Sequence, residues 1–279
     1  MLAYFNGEII PLENVKISPF DRGFLFSDGI YEVVRYYPTK LFQIAFHLDR
    51  LRGSLEKMKI NIAKLDFLEP TIMELLGKNN LLNVPSMAYL QITRGVQFPR
   101  RHDYADELTP TVFIYTAELP VKTQIISEGI KVGLEEDIRW HRCNIKSISL
   151  IANTAAKQRA KENGFEETIF HRNGLITEGT HSNVCFVKEG KVVTPPLSNL
   201  ILPGVTRRTV LQLCNELGIE VEEREIPVSE LNSFDEAFML ATTSGVLPVV
   251  EIDRVAVNCG KPGKLTRILQ EAYQKLITG

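Results

Sequence analysis

Cysteine is scarce in this 279-residue chain, and the four present, Cys143, Cys185, Cys214 and Cys259, stand far apart. No C-x-x-C pair and no histidine at ligand spacing accompanies them, so neither a disulfide framework nor a metal site is expected. Reduced thiols of this kind suit a cytoplasmic setting. An excess of charge of one sign is also missing: Lys+Arg total 32 and Asp+Glu 34, for a formal net charge of -2, with no block of like charges. Nucleic acid and membrane surfaces are therefore not expected as partners. No apolar run approaches the roughly 20 residues that a bilayer span requires, and Met1 to Ile10 lacks the basic-then-apolar pattern of a secretory signal. Internal repeats and low-complexity tracts are absent as well. What is present is an ordinary globular composition, 44% hydrophobic and 24% charged, in a chain long enough for two modest domains or one large α/β unit.

Periodicity then separates the elements. Asn6-Gly7 lies between two short apolar stretches and predicts a hairpin, because both residues tolerate the positive φ of a type I′ turn. Tyr31 to Tyr37 reads as a strand, and Leu48, Leu51, Leu55 and Met58 recur at helical spacing within His47 to Ile60. Leu68, Ile72, Leu75 and Leu76 mark a second helix, followed by β-rich Met87–Thr93 and Thr111–Thr116. A proline among polar residues in Ala117 to Thr123 is the candidate linker. Beyond it come a strand at Ile130 to Leu134, a helix from Leu150 to Asn163 closed by Gly164, and a second hairpin about Asn173-Gly174. Short strands at Val184–Val187 and Lys191–Thr194, a helix from Thr206 to Leu217 and a last amphipathic helix from Lys264 to Ile277 complete the pattern.

Several polar motifs sit where loops meet these elements. Leu202-Pro-Gly-Val-Thr206 leads into a helix N-terminus, where free backbone N–H groups and the dipole attract an anion, although a plain capped helix gives the same pattern. Ala241-Thr-Thr-Ser-Gly245 follows the strand Ala237 to Leu240 and reads equally as a phosphate site or a Ser/Thr turn. Glu178 precedes an apolar strand, and a buried carboxylate there requires a cationic or N–H partner. Lys146, just ahead of a helix, is by itself one lysine among many.

Taken together and in order, DRGFLFSDGIYEVVR (21–35), HLDRL (47–51), EDIRWHRCNIKS (136–147), TEGTHSN (177–183), ILPGVTR (201–207) and TTS (242–244) carry a resemblance over nearly the whole chain. The chain resembles the pyridoxal-phosphate aminotransferases of fold type IV. Within that family, Asp21 to Arg35 and Pro99-Arg-Arg-His102 look most like the bacterial D-amino-acid aminotransferases. The resemblance implies an α+β fold of two domains: a smaller α+β domain at 1–118, a linker at 119–123 and a larger barrel-like domain with helices at 124–279, the cofactor lying between the domains. It implies pyridoxal 5'-phosphate as cofactor, with Lys146 bonded to its aldehyde and shuttling protons, work suited to an amine in a desolvated, cation-rich site. Glu178 would keep the ring nitrogen protonated. Arg50, the backbone of Val205 and Thr206, and Thr242 would hold the phosphate, with Leu202 packed beneath the ring.

For the substrate, the resemblance assigns Tyr31, Arg100 and His102 to the α-carboxylate, the last two reaching across from the neighbouring subunit of a homodimer. The implied reaction moves an amino group from a D-amino acid, such as D-alanine or D-glutamate, to a 2-oxo acid by a ping-pong cycle. Branched-chain L-amino-acid aminotransferase and 4-amino-4-deoxychorismate lyase share the cofactor chemistry and are the alternatives. A catalytically silent binding protein on the same fold is disfavoured by retention of both Lys146 and Glu178. The chain departs from the family pattern in three places. The spacer before Pro99 is one residue longer and adds Arg101, so either Arg100 or Arg101 can take the carboxylate role. Thr180-His181-Ser182 stands where a serine-rich stretch is expected, and Ala241 replaces a hydroxyl residue before Thr242.

Overall fold

A computed structural model describes residues 1–278. Its internal contacts divide the chain into two units, the first made of Met1–Pro120 with Ile145–Ser149, the second of Val121–Asn144 with the described chain from Leu150 onward.

The first unit opens with the expected hairpin of β1 (Leu2–Phe5) and β2 (Glu8–Pro11). Asn6 and Gly7 both adopt positive φ, so Phe5 pairs with Glu8 across a two-residue turn. There follow α1 (Arg22–Phe26), β3 (Gly29–Tyr37), β4 (Lys40–Leu41), α2 (Ile44–Met58), α3 (Leu68–Lys78), β5 (Ser86–Thr93) and β6 (Thr111–Glu118). The strands form one antiparallel sheet in the order β2-β1-β6-β5-β3-β4. Period-2 alternation turns Ile30, Val34 and Tyr36 of β3 to one face, where they pack with Leu51 and Leu55 of α2 and with Leu68, Ile72, Leu75 and Leu76 of α3. Polar groups are buried in this unit as well, among them Glu32 on β3 with His47 and Ser54 on α2. The segment 145–149 lies along the start of β3, where Tyr31 N–H donates to the Lys146 carbonyl at 3.0 Å and Ile148 N–H to the Gly29 carbonyl at 3.0 Å.

The second unit contains α4 (Thr123–Glu128), β7 (Ile130–Glu136), α5 (Ile151–Glu162), β8 (Glu167–Arg172), β9 (Leu175–Gly179), β10 (Asn183–Lys188), β11 (Lys191–Thr194), α6 (Val205–Glu216), β12 (Val221–Glu223), β13 (Glu236–Ala241), β14 (Gly245–Ile252), β15 (Val255–Ala256) and α7 (Lys264–Thr278). Its sheet runs β12-β11-β10-β13-β14-β7-β8-β9, with β15 on β14, and mixes parallel and antiparallel pairs. The sheet curls so that β9 comes back against β10, as expected of a barrel-like unit. Ile130, Val132, Ile169, Val184, Phe186 and Met239 are among the residues that fill its core. The fold class is α+β, as the sequence implies. No helix among the described residues is long and apolar enough to cross a membrane.

Candidate active site

In the first unit the backbone of β3 fixes Lys146. Its carbonyl accepts from Tyr31 N–H, and its own N–H donates to Ser54 Oγ at 3.3 Å. The side chain is half-buried, with Nζ 4.2 Å from the centroid of the Tyr31 ring. Among the described residues, no carboxylate lies in ion-pair range of that amine. Tyr31 and Lys146, two of the residues singled out from sequence, are thus brought face to face.

Arg50 stands one turn from His47 on α2. It donates from Nε to Glu32 Oε1 and from Nη2 to Glu32 Oε2, both at 2.7 Å, while His47 Nδ1 lies 2.8 Å from Glu32 Oε2. Burial alone raises a carboxyl's pKa, yet the Arg50 guanidinium and His47 hold Glu32 well below the carboxylate range. Burial, assisted by the nearby Arg50 and Lys146 charges, lowers the His47 pKa against the pull of Glu32, so the imidazole stays neutral and donates. The Nε–Nη2 edge of Arg50 is therefore occupied by Glu32.

The loop after β5 carries Arg100, Arg101 and His102, all exposed. The Arg100 guanidinium lies 4.4 Å from the centroid of Phe26, whose ring also meets His102 at 5.6 Å. Arg101 turns away into an ion pair with Asp103 and is 59% exposed. Arg100 and His102 thus share the Phe26 ring. Within one chain, among the described residues, no hydrogen bond or ring contact joins either of them to Tyr31.

In the second unit Glu178 is 4% exposed at the end of β9. It accepts from Arg139 Nη1 at 2.6 Å, Asn183 Nδ2 at 3.0 Å and the Leu202 N–H at 3.0 Å. Arg139 also grips Asp137 with Nε and Nη2, both at 2.9 Å, and Thr177 Oγ1 and Arg172 complete the shell around Asp137. Burial pushes the Glu178 carboxyl above its ordinary value, and Arg139 and the Leu202 N–H work against it. A further cation at the carboxylate would tip the balance to the ionised form.

Leu202 leads to α6, whose N-cap Gly204 makes no side-chain cap, so the first N–H groups of the helix are left for another acceptor. A Cβ on Gly204 would come within 1.9 Å of Asn183 Oδ1, while Asn183 Nδ2 donates to the Leu202 carbonyl at 3.0 Å. Glycine is required for this close approach, which ties the helix N-terminus to Glu178. Val205 and Thr206 are buried there. Thr242 is half-buried in the turn from β13 to β14, where Ser244 N–H donates to the Ala241 carbonyl at 3.2 Å. No hydrogen bond links Thr242 to the other singled-out residues among those described.

Comparison with known proteins decides the family. The model of class IV amino-transferases matches residues 29–252. The chain belongs to the class IV aminotransferases. It is 39% identical to a D-alanine aminotransferase of Bacillus licheniformis over 99% of this chain and 97% of that protein. A D-alanine aminotransferase of Listeria monocytogenes is 37% identical, over 100% of this chain and 96% of its own. Among solved structures, Escherichia coli branched-chain amino acid aminotransferase superposes with a TM-score of 0.92 at 25% identity, covering 99% of this chain and 94% of that one. The branched-chain enzyme of Thermobaculum terrenum, solved in its PLP form, gives 0.87 at 25% identity, covering 99% and 93%. The fold of this class IV aminotransferase is thus shared with enzymes of more than one substrate class.

Sequence reasoning gave no roles to Asp137, Arg139 and Asn183, or to Glu32, His47 and Ser54. All but Ser54 lie inside one of the sequence motifs. His47 and Arg50, three apart on one helix, carried the available signal for a shared polar face.

Proposed function

We propose that the chain is a pyridoxal-phosphate aminotransferase that transfers the amino group of a D-amino acid such as D-alanine or D-glutamate to a 2-oxo acid, working as a cytoplasmic homodimer. The observation that carries the cofactor reading is Glu178. An ionised carboxylate offers about four acceptor sites, and the three donors around Glu178 leave it able to take one more, from a ring N–H. Lys146, with no carboxylate in range among the described residues, suits an aldehyde, and the uncapped N-terminus of α6 suits a phosphate. The donor set therefore fits this cofactor. When bound, pyridoxal 5'-phosphate supplies an electrophilic aldehyde and an electron sink that carries the amino group between the two half-reactions.

The residues of this chain then divide the work. Lys146 Nζ moves the proton at Cα of the substrate. Glu178, fixed by Arg139 and Asn183, keeps the proton on the ring nitrogen. Val205 and Thr206, with Thr242 and the guanidinium of Arg50, hold the phosphate, and Leu202 supports the ring. Tyr31 and, from the partner protomer, Arg100 and His102 hold the α-carboxylate, and that grip determines which hydrogen of Cα faces Lys146. The exposure of Arg100 and His102, and their lack of contact with Tyr31 within one chain, support a site completed by a second copy. The D hand rests on the full-length likeness to D-alanine aminotransferases. Four unpaired cysteines suit the cytoplasm.

The test is a paired assay of purified holoenzyme with 2-oxoglutarate as acceptor. D-Alanine should give pyruvate and D-glutamate, and L-leucine should not be used. Preference for L-leucine would establish the branched-chain reading, and release of pyruvate from aminodeoxychorismate without amino transfer would establish the lyase.

A further inference from the structure

A buried arginine outside the assigned site contacts the loop that bears Arg100 and His102. Arg22, the first residue of α1, is 4% exposed. Its Nη1 donates to the Arg101 carbonyl at 2.8 Å and the Asp103 carbonyl at 3.2 Å, and its Nη2 to the His102 carbonyl at 3.0 Å. Nη1 also reaches Gln97 Oε1 at 3.3 Å, and Gln97 Nε2 donates in turn to the Asp103 carbonyl at 3.3 Å. The loop is exposed and belongs to no sheet, so these carbonyls have no ladder to bind them. One guanidinium thus takes three consecutive carbonyls of a segment outside the sheet.

The guanidinium is itself held. Nε donates to Asp28 Oδ2 at 2.8 Å, and the same oxygen accepts from Arg94 Nε at 2.7 Å. Arg94 Nη1 donates to the Lys59 carbonyl and its Nη2 to the Met58 carbonyl, both at 2.7 Å, which anchors the assembly to the end of α2. Tyr104 closes it from the loop side, 3.7 Å from Arg94. Burial works to raise the Asp28 pKa, but the two arginines lower it, so Asp28 stays ionised and neutralises part of their charge. At the far end of α1, Phe26 lies 4.8 Å from Arg22 and presents its ring to both Arg100 and His102.

We propose that Arg22 and Phe26 are positioning residues for the substrate carboxylate, Arg22 by fixing the backbone of residues 101–103 and Phe26 by seating the side chains of Arg100 and His102. This rests on the reading that Arg100 and His102 bind that carboxylate. A planar guanidinium is required for the three-carbonyl grip, because an ammonium is a point donor on a flexible stem.

The test measures KM and kcat for D-alanine, the competitive inhibition constant of propionate and the melting temperature in Arg22→Lys holoenzyme. KM and the inhibition constant should rise together by about tenfold to a hundredfold, the range of a charge-assisted hydrogen bond, with kcat at saturation and the melting temperature close to wild type. Wild-type KM and inhibition constant, or a loss confined to kcat, would overturn the proposal. Should Arg22→Lys fail to fold, Phe26→Leu leaves every Arg22 hydrogen bond in place and should show the same split between KM and kcat. Arg100→Ala is the reference: if its KM and inhibition constant do not rise, the carboxylate reading itself fails. If they rise while both Arg22→Lys and Phe26→Leu behave as wild type, the positioning role alone fails.

Discussion

Glu178 is placed where burial and hydrogen bonding act in opposite directions, burial favouring the protonated acid and Arg139 and two N–H donors the carboxylate. Glu178→Gln should lower kcat for D-alanine by at least about a hundredfold, the scale of a lost acid–base partner, while cofactor affinity changes little because the phosphate contacts remain. Cofactor titration beside single-turnover rates checks this, and an unchanged rate would make Glu178 structural. Glu167 gives a second residue-scale expectation. Burial would raise its pKa, but His181, Lys157 and Thr180 hold it down to about 2. Because the folded value lies below the ordinary 4.5, the carboxylate contributes stability in full above that value, and loses it as pH falls from 4.5 towards 2. Urea unfolding should therefore show a gap between wild type and Glu167→Gln that is largest above pH 4.5 and closes on acidification. The resemblance singles out Lys146 and Glu178 because each stands inside a motif of fixed order. Arg139 was not legible in the sequence, since its pairing with Glu178 spans 39 residues of chain, and only folding brings the two together. The different surroundings of Arg100, over the Phe26 ring, and of Arg101, paired with Asp103, were equally hidden, because they depend on contacts that only folding brings together.

Among the elements, α6 joins the helix dipole to the candidate phosphate site, and Gly204 makes that junction possible. Gly204→Ala should push Asn183 away from the Leu202 carbonyl and weaken cofactor binding by about tenfold or more, as expected for the loss of a charge-assisted hydrogen bond. Absorbance titration of the apoenzyme with pyridoxal 5'-phosphate measures it. Wild-type affinity would place the phosphate elsewhere. The amphipathic helices and both Asn-Gly hairpins were readable from periodicity and turn chemistry. The strand β14 was not read from its sequence, because Pro248 interrupts its apolar run and proline is normally confined to edges and bulges. Here Pro248 sits opposite Phe238, just before the register shift between Val249 and Glu251, where an irregular ladder tolerates a missing N–H. Nor did α2 announce its polar face: the Leu48, Leu51, Leu55 and Met58 stripe was visible, but His47 and Ser54 are buried with it because Glu32 and the Lys146 backbone need partners there.

At the scale of the whole molecule, the proposed carboxylate site would be completed by a second copy of the chain. Phe24 is 73% and Phe98 74% exposed, and Phe98 packs edge-on against Phe20 at 4.9 Å. Phe98 belongs to the loop proposed to reach the partner, and Phe24 lies on α1, whose Phe26 packs against Arg100 and His102 of that loop. Covering one phenylalanine is worth about 1.5 to 3 kcal/mol, and two-fold symmetry doubles each contact. Phe24→Asp combined with Phe98→Asp should therefore shift sedimentation from dimer to monomer and reduce kcat/KM for D-alanine in step with the monomer fraction. The central claim, that Lys146 moves the proton at Cα of a D-amino acid, is tested most directly by proton NMR of alanine incubated with holoenzyme in deuterated water, without a 2-oxo acid. D-Alanine should lose its Cα–H signal, L-alanine should keep it, and Lys146→Ala should abolish the exchange. Equal exchange of L-alanine, or exchange that survives in Lys146→Ala, would contradict the account.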